Sequence, residues 1–334
     1  MKIGIAGGTG LLGSSAAKIM IEQGHEVHSF TLPFIKGSLD IPEKMILHIA
    51  DFNTLTDLEI DAFMRGLDAF VFAAGVDERI EFQPPVYDAY VKYNINPVSR
   101  MLSSAKKMGV KKAIILGSYF AYFAKIWPKL KLEENHPYIR SRLEQERVAF
   151  SYADSSFEVV VLELPYIFGA QKGRKPVWSI FIERFDQPKI IFFPNGGTAM
   201  VTVHQVGVAI YHAILYGKNK TAYPLGYINM TWRVLIKHVL TAMGKHKMII
   251  TVPYFLANLG IRSMQKDYDK KGIEPGLNPH TFAKLMTAKT YIDPSLSKDL
   301  LLPDDHIEHA IYESISYAYH IYQKQLEVNE MKVS

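Results

Sequence analysis

A glycine-rich turn near the start of the chain limits its folds more than any other sequence feature. Residues 3–13 read IGIAGGTGLLG, so that Gly7, Gly10 and Gly13 recur at intervals of three. The apolar run of residues 2–6 before the turn predicts a strand, and the segment after it predicts a helix. Glycines in this setting let a ligand approach the backbone, and the helix N-terminus offers unpaired N–H groups and a positive dipole end.

The position of this turn favours a bound phosphate over a glycine-rich turn without a ligand. A strand-to-helix turn with this glycine spacing is typical of dinucleotide sites, in which the backbone holds the pyrophosphate. The sequence therefore predicts a dinucleotide cofactor that contacts Gly7, Gly10, Leu11, Leu12 and Gly13.

The end of the second predicted strand bears on which dinucleotide binds. NAD sites usually carry Asp or Glu about 20 residues beyond the glycines, where the acid holds the ribose hydroxyls. Here that place reads Phe30-Thr31-Leu32, and Lys36 follows. A neutral Thr31 removes the repulsion of a 2′-phosphate, and Lys36 adds a cation, although it is equally explained as a solvated loop residue. The end of the second strand therefore favours NADP over NAD as the cofactor.

Strand-like and helix-like segments alternate through the first half of the chain. We predict strands and helices from their apolar periodicity. The strands are at 2–6, 26–32, 45–48, 69–73, 112–117 and 158–162, and helices are at 11–23 and 94–108. This alternation predicts an α/β fold, a doubly wound parallel sheet of the Rossmann type.

The rhythm changes after Gly169, where the predicted strands become shorter and proline and glycine breaks more frequent. We predict a dinucleotide-binding Rossmann domain over residues 1–169 with a returning segment near 200–216. A smaller, discontinuous substrate-binding part would comprise 170–199 and 217–325, followed by a polar tail over 326–334.

Composition excludes several classes of protein. The 334 residues are 48% hydrophobic, enough for a large core, and the net charge of +5 is spread along the chain, which does not indicate nucleic acid binding. The chain has no cysteine, so disulfides, thiolate catalysis and cysteine zinc sites are excluded. The histidines suggest no ligand set, and no metal site is predicted.

The first strand leaves no room for a signal peptide, and no apolar run reaches about 18 residues. These two features predict a cytoplasmic protein without a membrane partner.

Several short motifs occur in an order that resembles the extended short-chain dehydrogenase/reductase family, which contains nucleotide-sugar epimerases, dehydratases and dihydroflavonol-type reductases. The resemblance spans nearly the whole chain. Its motifs are the Gly7-to-Gly13 turn, Ala50-Asp51-Phe52, Ala73-Ala74-Gly75, Asn94, Leu116-Gly117-Ser118, Pro137-Tyr138 and Pro165-Tyr166-Ile167-Phe168-Gly169.

The resemblance implies further cofactor contacts. In such enzymes the match to Asp51 contacts the adenine, and the match to the Ala73–Gly75 turn passes the ribose and phosphates. The match to Pro165 and Tyr166 lies near the nicotinamide. The implied set is Thr31, Asp51, Phe52, Ala73, Ala74, Gly75, Asn94, Pro165, Tyr166 and Ile167.

The resemblance also implies a catalytic serine and tyrosine, which are matched by Ser118 and Tyr138. The tyrosine exchanges a proton with a substrate oxygen while hydride moves to or from the nicotinamide. A phenol with a pKa near 10 is a poor base at neutral pH, so a neighbouring cation must favour its phenolate. The family supplies that cation as Tyr-x-x-x-Lys, and here Arg142 occupies the place of the lysine.

The expected activity is that of an NAD(P)-dependent oxidoreductase or epimerase/dehydratase acting by hydride transfer on a small molecule, for which a nucleotide sugar is one candidate. The alternative is a non-catalytic sensor or scaffold that binds the dinucleotide, and the replacement of lysine by Arg142 favours it. Glu163 and Gln205 are two further departures, since family members commonly have arginine and aspartate there.

A short basic segment and two helices suggest further contacts. Lys172, Arg174 and Lys175 lie where nucleotide-sugar enzymes open their substrate site, so they could bind a substrate diphosphate or form a solvated surface. Family members often dimerise by packing two long helices from each subunit. The helices over 94–108 and 138–152 could form a homodimer in this way.

Overall fold

The computed structural model of the protein describes residues 1–34 and 38–329. The first half alternates strands with helices, in the order β1 (Lys2–Ala6), α1 (Leu11–Glu22), β2 (Glu26–Thr31), β3 (Ile46–Ile49), α2 (Asp57–Met64), β4 (Ala69–Phe72), α3 (Val86–Tyr90), a π-helical turn (Val91–Ile95), α4 (Asn96–Lys107), β5 (Lys112–Ser118), α5 (Tyr119–Ile126), α6 (Leu132–Asn135), α7 (Pro137–Ser151) and β6 (Glu158–Leu164). The predicted strands all occur, with ends that differ by at most two residues.

The second half has shorter strands and more helices. Its elements are β7 (Tyr166–Phe168), α8 (Ser179–Phe185), β8 (Ile190–Pro194), β9 (Gly197–Thr202), α9 (Val203–Tyr216), β10 (Thr221–Pro224), β11 (Ile228–Thr231), α10 (Trp232–Ala242), β12 (Met248–Val252), α11 (Tyr254–Lys271), α12 (Pro279–Thr287), β13 (Lys289–Thr290) and α13 (Ile307–Lys324). None of the helices in the described ranges is both long and apolar enough to span a membrane.

Seven strands form one parallel sheet in the order β10-β6-β5-β4-β1-β2-β3. The chain moves outward from β1 in both directions, which confirms the predicted doubly wound α/β fold. The edge strand β10 comes from the range predicted for the substrate-binding part. It joins this sheet because Thr221–Pro224 pair in parallel with β6. A strand of four residues is too short for apolar periodicity to reveal it, and its partner strand is remote in sequence.

Helices cover both faces of the sheet. Ile3 and Ile5 of β1 pack in one core layer with α1 and α9. Phe70 and Phe72 of β4 pack in the opposite layer with α2 and α4. Strands that are apolar on both faces are characteristic of parallel sheets, and they leave only the strand ends for polar chemistry.

The helix that carries Asn94 differs from the prediction. Asn94 does not open a helix; it lies inside the π-helical turn that joins α3 to α4. Pro97 follows at the start of α4 and has no N–H to donate to the preceding turn, which accounts for the wider turn. The helix therefore begins earlier than the predicted 94–108 segment.

The remaining elements lie beyond the carboxyl ends of the sheet strands. β9 pairs with β7, β11 and β13, and β8 pairs with β12. An apolar cluster that includes Phe185, Trp232 and Ile311 joins α8, α10 and α13. The returning helix α9 packs on the main sheet beside α1.

Candidate active site

The glycine turn between β1 and α1 is closely packed. Gly7 has φ +89°, a conformation that favours glycine, and a Cβ there would lie 2.8 Å from the Ala73 carbonyl oxygen. A Cβ at Gly13 would lie 2.3 Å from the Gly7 carbonyl oxygen. A Cβ at Gly10 would lie 3.1 Å from the same oxygen, so this position tolerates a side chain better than Gly7 and Gly13 do.

The N-terminus of α1 lacks a side-chain cap. Gly10 is its N-cap, and no side chain of the described residues accepts a hydrogen bond from the first turn. The amides of Leu11, Leu12 and Gly13 therefore have no acceptor within the helix. A phosphate group is the ligand that such amides bind best, so the predicted pyrophosphate contacts fit this turn.

Two threonines meet at the ribose end of the predicted cofactor site. Thr31 ends β2, is buried, and shares a short hydrogen bond between hydroxyl groups with Thr9 of the glycine turn. A neutral hydroxyl thus stands where NAD sites usually carry a carboxylate. Lys36, the cation predicted to assist a 2′-phosphate, lies outside the described residues.

The other residues implied for the cofactor follow neighbouring strands. Asp51 and Phe52 follow β3, and the Asp51 carboxylate accepts the Asn53 N–H at 2.9 Å. Ala73, Ala74 and Gly75 follow β4, and the Ala73 N–H donates to the Ala6 carbonyl at 2.9 Å. Since β4 lies next to β1, the turn after β4 borders the glycine turn, and the turn after β3 lies at the same edge of the sheet.

Ser118 and Tyr138 lie at the same edge of the sheet. Ser118 ends β5, and its Oγ accepts the Phe120 N–H at 3.4 Å as the N-cap of α5. Tyr138 is in the first turn of α7, is 4% exposed, and donates its backbone N–H to the Gly276 carbonyl at 3.0 Å. Its ring lies 6.3 Å from that of Phe120, which brings the phenol close to the end of β5.

Arg142 contacts the ring of Tyr138, as the helical spacing predicts. The guanidinium carbon is 5.1 Å from the centroid of the tyrosine ring. Nη1 donates to Gln145 Oε1 at 3.0 Å and Nη2 donates to the Val76 carbonyl at 2.9 Å. Arg142 therefore provides a cation beside the phenol and also anchors the loop that follows β4.

Asn94 completes this network. Its Oδ1 accepts the Val76 N–H at 2.7 Å and its Nδ2 donates to the Val76 carbonyl at 3.0 Å. Gln145 donates to the Asn94 carbonyl at 2.9 Å. The Asn94 side chain thus holds the loop after β4 through the Val76 backbone, and Gln145 in turn holds the Asn94 backbone.

The electrostatic environment keeps Tyr138 protonated. Burial raises the pKa of its phenol, and the nearby Arg142 acts in the opposite direction. Glu78 on the adjacent loop also has a raised pKa, because burial disfavours its charge and Asp77 adds repulsion. Burial thus outweighs the effect of Arg142, and the phenol of Tyr138 keeps its proton at neutral pH.

A stacked aromatic pair borders the site. Pro165 joins β6 to β7, and the Tyr166 ring stacks on Trp178 with centroids 4.7 Å apart. Trp178 donates through Nε1 to the Ile167 carbonyl at 2.7 Å. On the opposite loop, Arg79 donates to the Val177 carbonyl at 2.7 Å, which links the loop after β4 to the segment before α8.

The three cations of residues 172–175 lie beside the glycine turn. Arg174 donates to the Thr9 carbonyl at 2.9 Å, whereas Lys172 and Lys175 are exposed. None of these contacts reaches Ser118 or Tyr138. The assignment of the three cations to a substrate diphosphate stays a prediction.

Sequence reasoning missed several residues of the site. Gln145 follows Tyr138 and Arg142 on the same face of α7, so helical spacing could have identified it. Gly276 and Val76 contribute backbone carbonyls from loops, and their sequence surroundings carry no signal for this role.

Several known proteins are similar to the chain in sequence or in structure. A protein of Synechocystis sp. with the provisional name dihydroflavonol 4-reductase is 20% identical over 331 residues, covering 94% of this chain and 93% of that protein. The crystal structure of gox2253 matches with a TM-score of 0.73 and 17% identity over 96% of this chain and 98% of that chain. The UDP-glucuronic acid 4-epimerase of Bacillus cereus, solved with UDP-glucuronic acid and NAD, matches with a TM-score of 0.68 and 14% identity over 96% and 100%.

The doubly wound sheet, the glycine turn and the buried Tyr138 define a class, the nicotinamide-dinucleotide enzymes built on a Rossmann fold. Within that class a family model matches residues 3–223, and the chain belongs to the NAD dependent epimerase/dehydratase family. This membership confirms the resemblance to extended short-chain dehydrogenases/reductases. It also confirms the predicted kind of enzyme, an NAD-dependent oxidoreductase or epimerase.

Proposed function

We propose that the protein is an NADP-preferring reductase or epimerase/dehydratase that acts at a carbonyl or alcohol carbon of a small molecule. The observation that carries this proposal is the buried phenol of Tyr138 beside the Arg142 guanidinium, 5.1 Å from ring centroid to carbon. Nucleotide sugars are the first substrate class to test, because the similar Bacillus cereus epimerase was solved with one.

Each residue has a separate task in this proposal. A bound nicotinamide supplies or accepts the hydride. Tyr138 holds a proton on its hydroxyl and exchanges it with the substrate oxygen, while the Ser118 hydroxyl donates a hydrogen bond to that oxygen. Arg142 stabilises the phenolate that forms when the proton leaves, and it holds the loop after β4 in place.

The first prediction tests the catalytic pair. Tyr138→Phe should reduce turnover at least about a hundredfold and leave cofactor affinity nearly unchanged, because only the proton donor is removed. Arg142→Lys should retain activity, and Arg142→Leu should move the pH–rate profile in the oxidative direction toward alkaline pH. The assay follows reduced-nicotinamide absorbance on a panel of carbonyl compounds and nucleotide sugars, with product analysis because an epimerase consumes no net cofactor.

The control is Tyr152→Phe at the far end of the same helix, where the hydroxyl contacts Ser99 at 2.7 Å. This variant should match the wild type. Equal turnover of wild type and Tyr138→Phe on an accepted substrate would refute the catalytic assignment.

One observation favours a second candidate, a dinucleotide-binding sensor without turnover. Both Nη atoms of Arg142 donate to protein acceptors, Gln145 and Val76, as expected of a residue kept for structure. Cofactor binding without turnover on the whole panel would favour this second function.

The preference for NADP rests on the neutral end of β2. Thr31→Asp should add a carboxylate that repels the 2′-phosphate and binds the ribose hydroxyls, so the preference should move from NADP toward NAD. Thr31→Asn provides the uncharged control of similar size. Calorimetric dissociation constants for the two cofactors measure the effect, and a wild type that binds NAD about tenfold more tightly than NADP contradicts the preference.

Two further parts of the proposal concern the cell and the assembly. We infer a cytoplasmic location from the dependence on a nicotinamide cofactor, which cell fractionation tests. We also infer a homodimer formed through α4 and α7, which light scattering of the purified protein tests.

A further inference from the structure

Residues 171–174 close the corner between the glycine turn and the chain that leaves β2. Gln171 donates through Nε2 to the Thr9 carbonyl at 3.2 Å and to the Asp40 carbonyl at 2.9 Å. The Lys172 carbonyl accepts the Asp40 N–H at 3.1 Å. The segment therefore contacts both elements that border the ribose end of a dinucleotide site.

Arg174 is the cation of this segment that turns inward. Its Nη2 donates to the Thr9 carbonyl at 2.9 Å and its Nε donates to Gln171 Oε1 at 2.9 Å. Across residues 1–34 and 38–329 no carboxylate forms a salt bridge with it, and burial lowers the pKa of its guanidinium. A half-buried cation that contacts only neutral oxygens would be stabilised by an anionic ligand, and a guanidinium has further N–H donors to offer one.

The backbone around Arg174 is held on both sides. The Gly173 N–H donates to the Tyr317 hydroxyl of α13 at 2.7 Å, and the Gly173 carbonyl accepts the Asn329 N–H at 2.9 Å. The Lys175 N–H donates to the Asn329 carbonyl at 3.0 Å. Gly173 has φ +85°, and a Cβ there would lie 1.6 Å from the Ser38 carbonyl oxygen. The guanidinium is thus positioned before any ligand arrives, which reduces the entropic cost of binding.

The two groups that Arg174 contacts, the Thr9 carbonyl and the Gln171 side chain, carry no negative charge. Thr9 and Thr31 join their hydroxyl groups at this corner, and the carbonyl of Thr9 accepts the guanidinium. Neutral hydroxyls beside a positioned arginine match a phosphate dianion, because arginine binds phosphate through two parallel hydrogen bonds.

We propose that Arg174, from the segment that follows the sheet, recognises the 2′-phosphate on the adenosine ribose of NADP. This inference rests on the proposed function and adds the residue that sets its cofactor preference. The guanidinium would exchange part of its contact with neutral oxygens for a charge-assisted pair with the phosphate. Lys172, whose side chain is exposed, would add only screened attraction.

The test compares cofactor fragments as well as whole cofactors. Calorimetry measures the binding of four adenine ligands, NADP, NAD, 2′,5′-ADP and 5′-AMP, to the full chain, and of UDP as a probe for a substrate diphosphate. Arg174→Gln keeps a donor for the Thr9 carbonyl and should weaken NADP and 2′,5′-ADP at least about tenfold while NAD and 5′-AMP change less than about twofold. Arg174→Lys keeps the charge and should retain part of the preference. Lys189→Gln, at an exposed position before β8 that has no part in the site, is the control and should change nothing.

The outcomes separate this inference from the proposed function. Equal weakening of all four ligands, or no change in the NADP to NAD ratio, in a folded Arg174→Gln protein overturns the role of Arg174 and leaves the proposed function standing. Weakening of UDP without weakening of NADP overturns it in favour of a substrate-diphosphate contact. A wild type that binds neither dinucleotide overturns both.

Discussion

At the scale of single residues, the replacement of lysine by Arg142 changes what one side chain can do. An ammonium would present a compact charge to Tyr138, whereas the planar guanidinium reaches the Val76 carbonyl and Gln145 from one position. The charge beside the phenol is kept. The same side chain additionally fastens the loop after β4 to α7, so its removal should affect both the pH profile and the order of that loop.

Glu163 on β6 is a second residue whose surroundings decide its behaviour. It is 1% exposed, and Lys125 Nζ lies 3.0 Å from its Oε1. Burial raises the pKa of this carboxyl to about 7, although Lys125 opposes the shift. Glu163 therefore occupies the position where family members commonly have arginine. It is a buried, partly protonated carboxyl group near the carboxyl end of β6.

This raised pKa gives a stability prediction. Because the pKa of Glu163 is higher in the folded than in the unfolded chain, its contribution to stability is fully present below about pH 4.5 and is lost as pH rises through about 7. Glu163→Gln removes that loss, and the variant should exceed the wild type by about 1–3 kcal/mol at pH 8 and gain little at pH 5. Urea denaturation at both pH values measures the difference.

Glu158→Gln, at a half-exposed position on the same strand, is the control. It should show no such pH-dependent gain. A Glu163→Gln protein that is less stable than the wild type at pH 8 would mean that the ion pair with Lys125 outweighs the cost of burying the charge.

At the scale of elements, helix termini carry much of the site. The N-terminus of α1 is left uncapped, whereas α9 is closed by a capping box in which Thr202 and Gln205 satisfy each other's backbone N–H groups at 3.0 Å. Gln205 thus caps the start of α9, at the position where family members commonly carry aspartate. The difference between the two termini agrees with a phosphate site at α1.

The glycine turn supplies the prediction at this scale. Gly10→Val should abolish dinucleotide binding with little loss of fold, because the added side chain fills the approach to the α1 amides while its Cβ meets only the Gly7 carbonyl oxygen, at 3.1 Å. Calorimetric titration with both cofactors measures binding, and thermal melting measures the fold.

Gly260→Val in α11 is the matched control, because a Cβ there meets nothing within 4 Å. It should bind as the wild type does. Unchanged dinucleotide affinity in a folded Gly10→Val protein would contradict the assignment of the cofactor site to the glycine turn.

At the scale of the whole molecule, a loop from the last third of the chain packs on the start of α7, which carries Tyr138. The Gly276 carbonyl accepts the Tyr138 N–H, and the Asn278 N–H donates to Nδ1 of buried His136 at 3.0 Å. His136 immediately precedes α7. Its neutral ring therefore joins the loop before α12 to the helix that carries Tyr138.

Acid should loosen this connection. Burial lowers the pKa of His136 to about 4, so the folded chain resists its protonation, and stability should fall as pH drops from about 6.5 toward 4. His136→Gln removes this titration, and its loss of stability between pH 7 and pH 4.5 should be about 1–3 kcal/mol smaller than that of the wild type. Urea denaturation at the two pH values measures both losses.

The exposed His280 on α12 provides the control, since His280→Gln should leave the acid sensitivity as it is. Identical acid losses in wild type and His136→Gln would contradict the assignment of this sensitivity to His136.

Local sequence patterns determined the doubly wound fold and led to the proposed catalytic residues. The spacing of Gly7, Gly10 and Gly13 located the glycine turn, and one helical turn separates Tyr138 from Arg142, so their contact follows from the periodicity of α7. The positions of the strands along the chain followed from alternating apolar runs, because local periodicity reflects the surface that each element must bury. These features depend on neighbours along the chain.

Only the tertiary structure decided the contacts that close the site. Arg174 meets Thr9 across 165 positions of sequence. Gly276 meets Tyr138, and β10 joins the main sheet, through pairings that are also remote in sequence. The hydrogen bonds between the Asn94 side chain and the Val76 backbone likewise join two separate elements. Such contacts form when folded elements pack, and no local propensity encodes which distant backbone a side chain will meet.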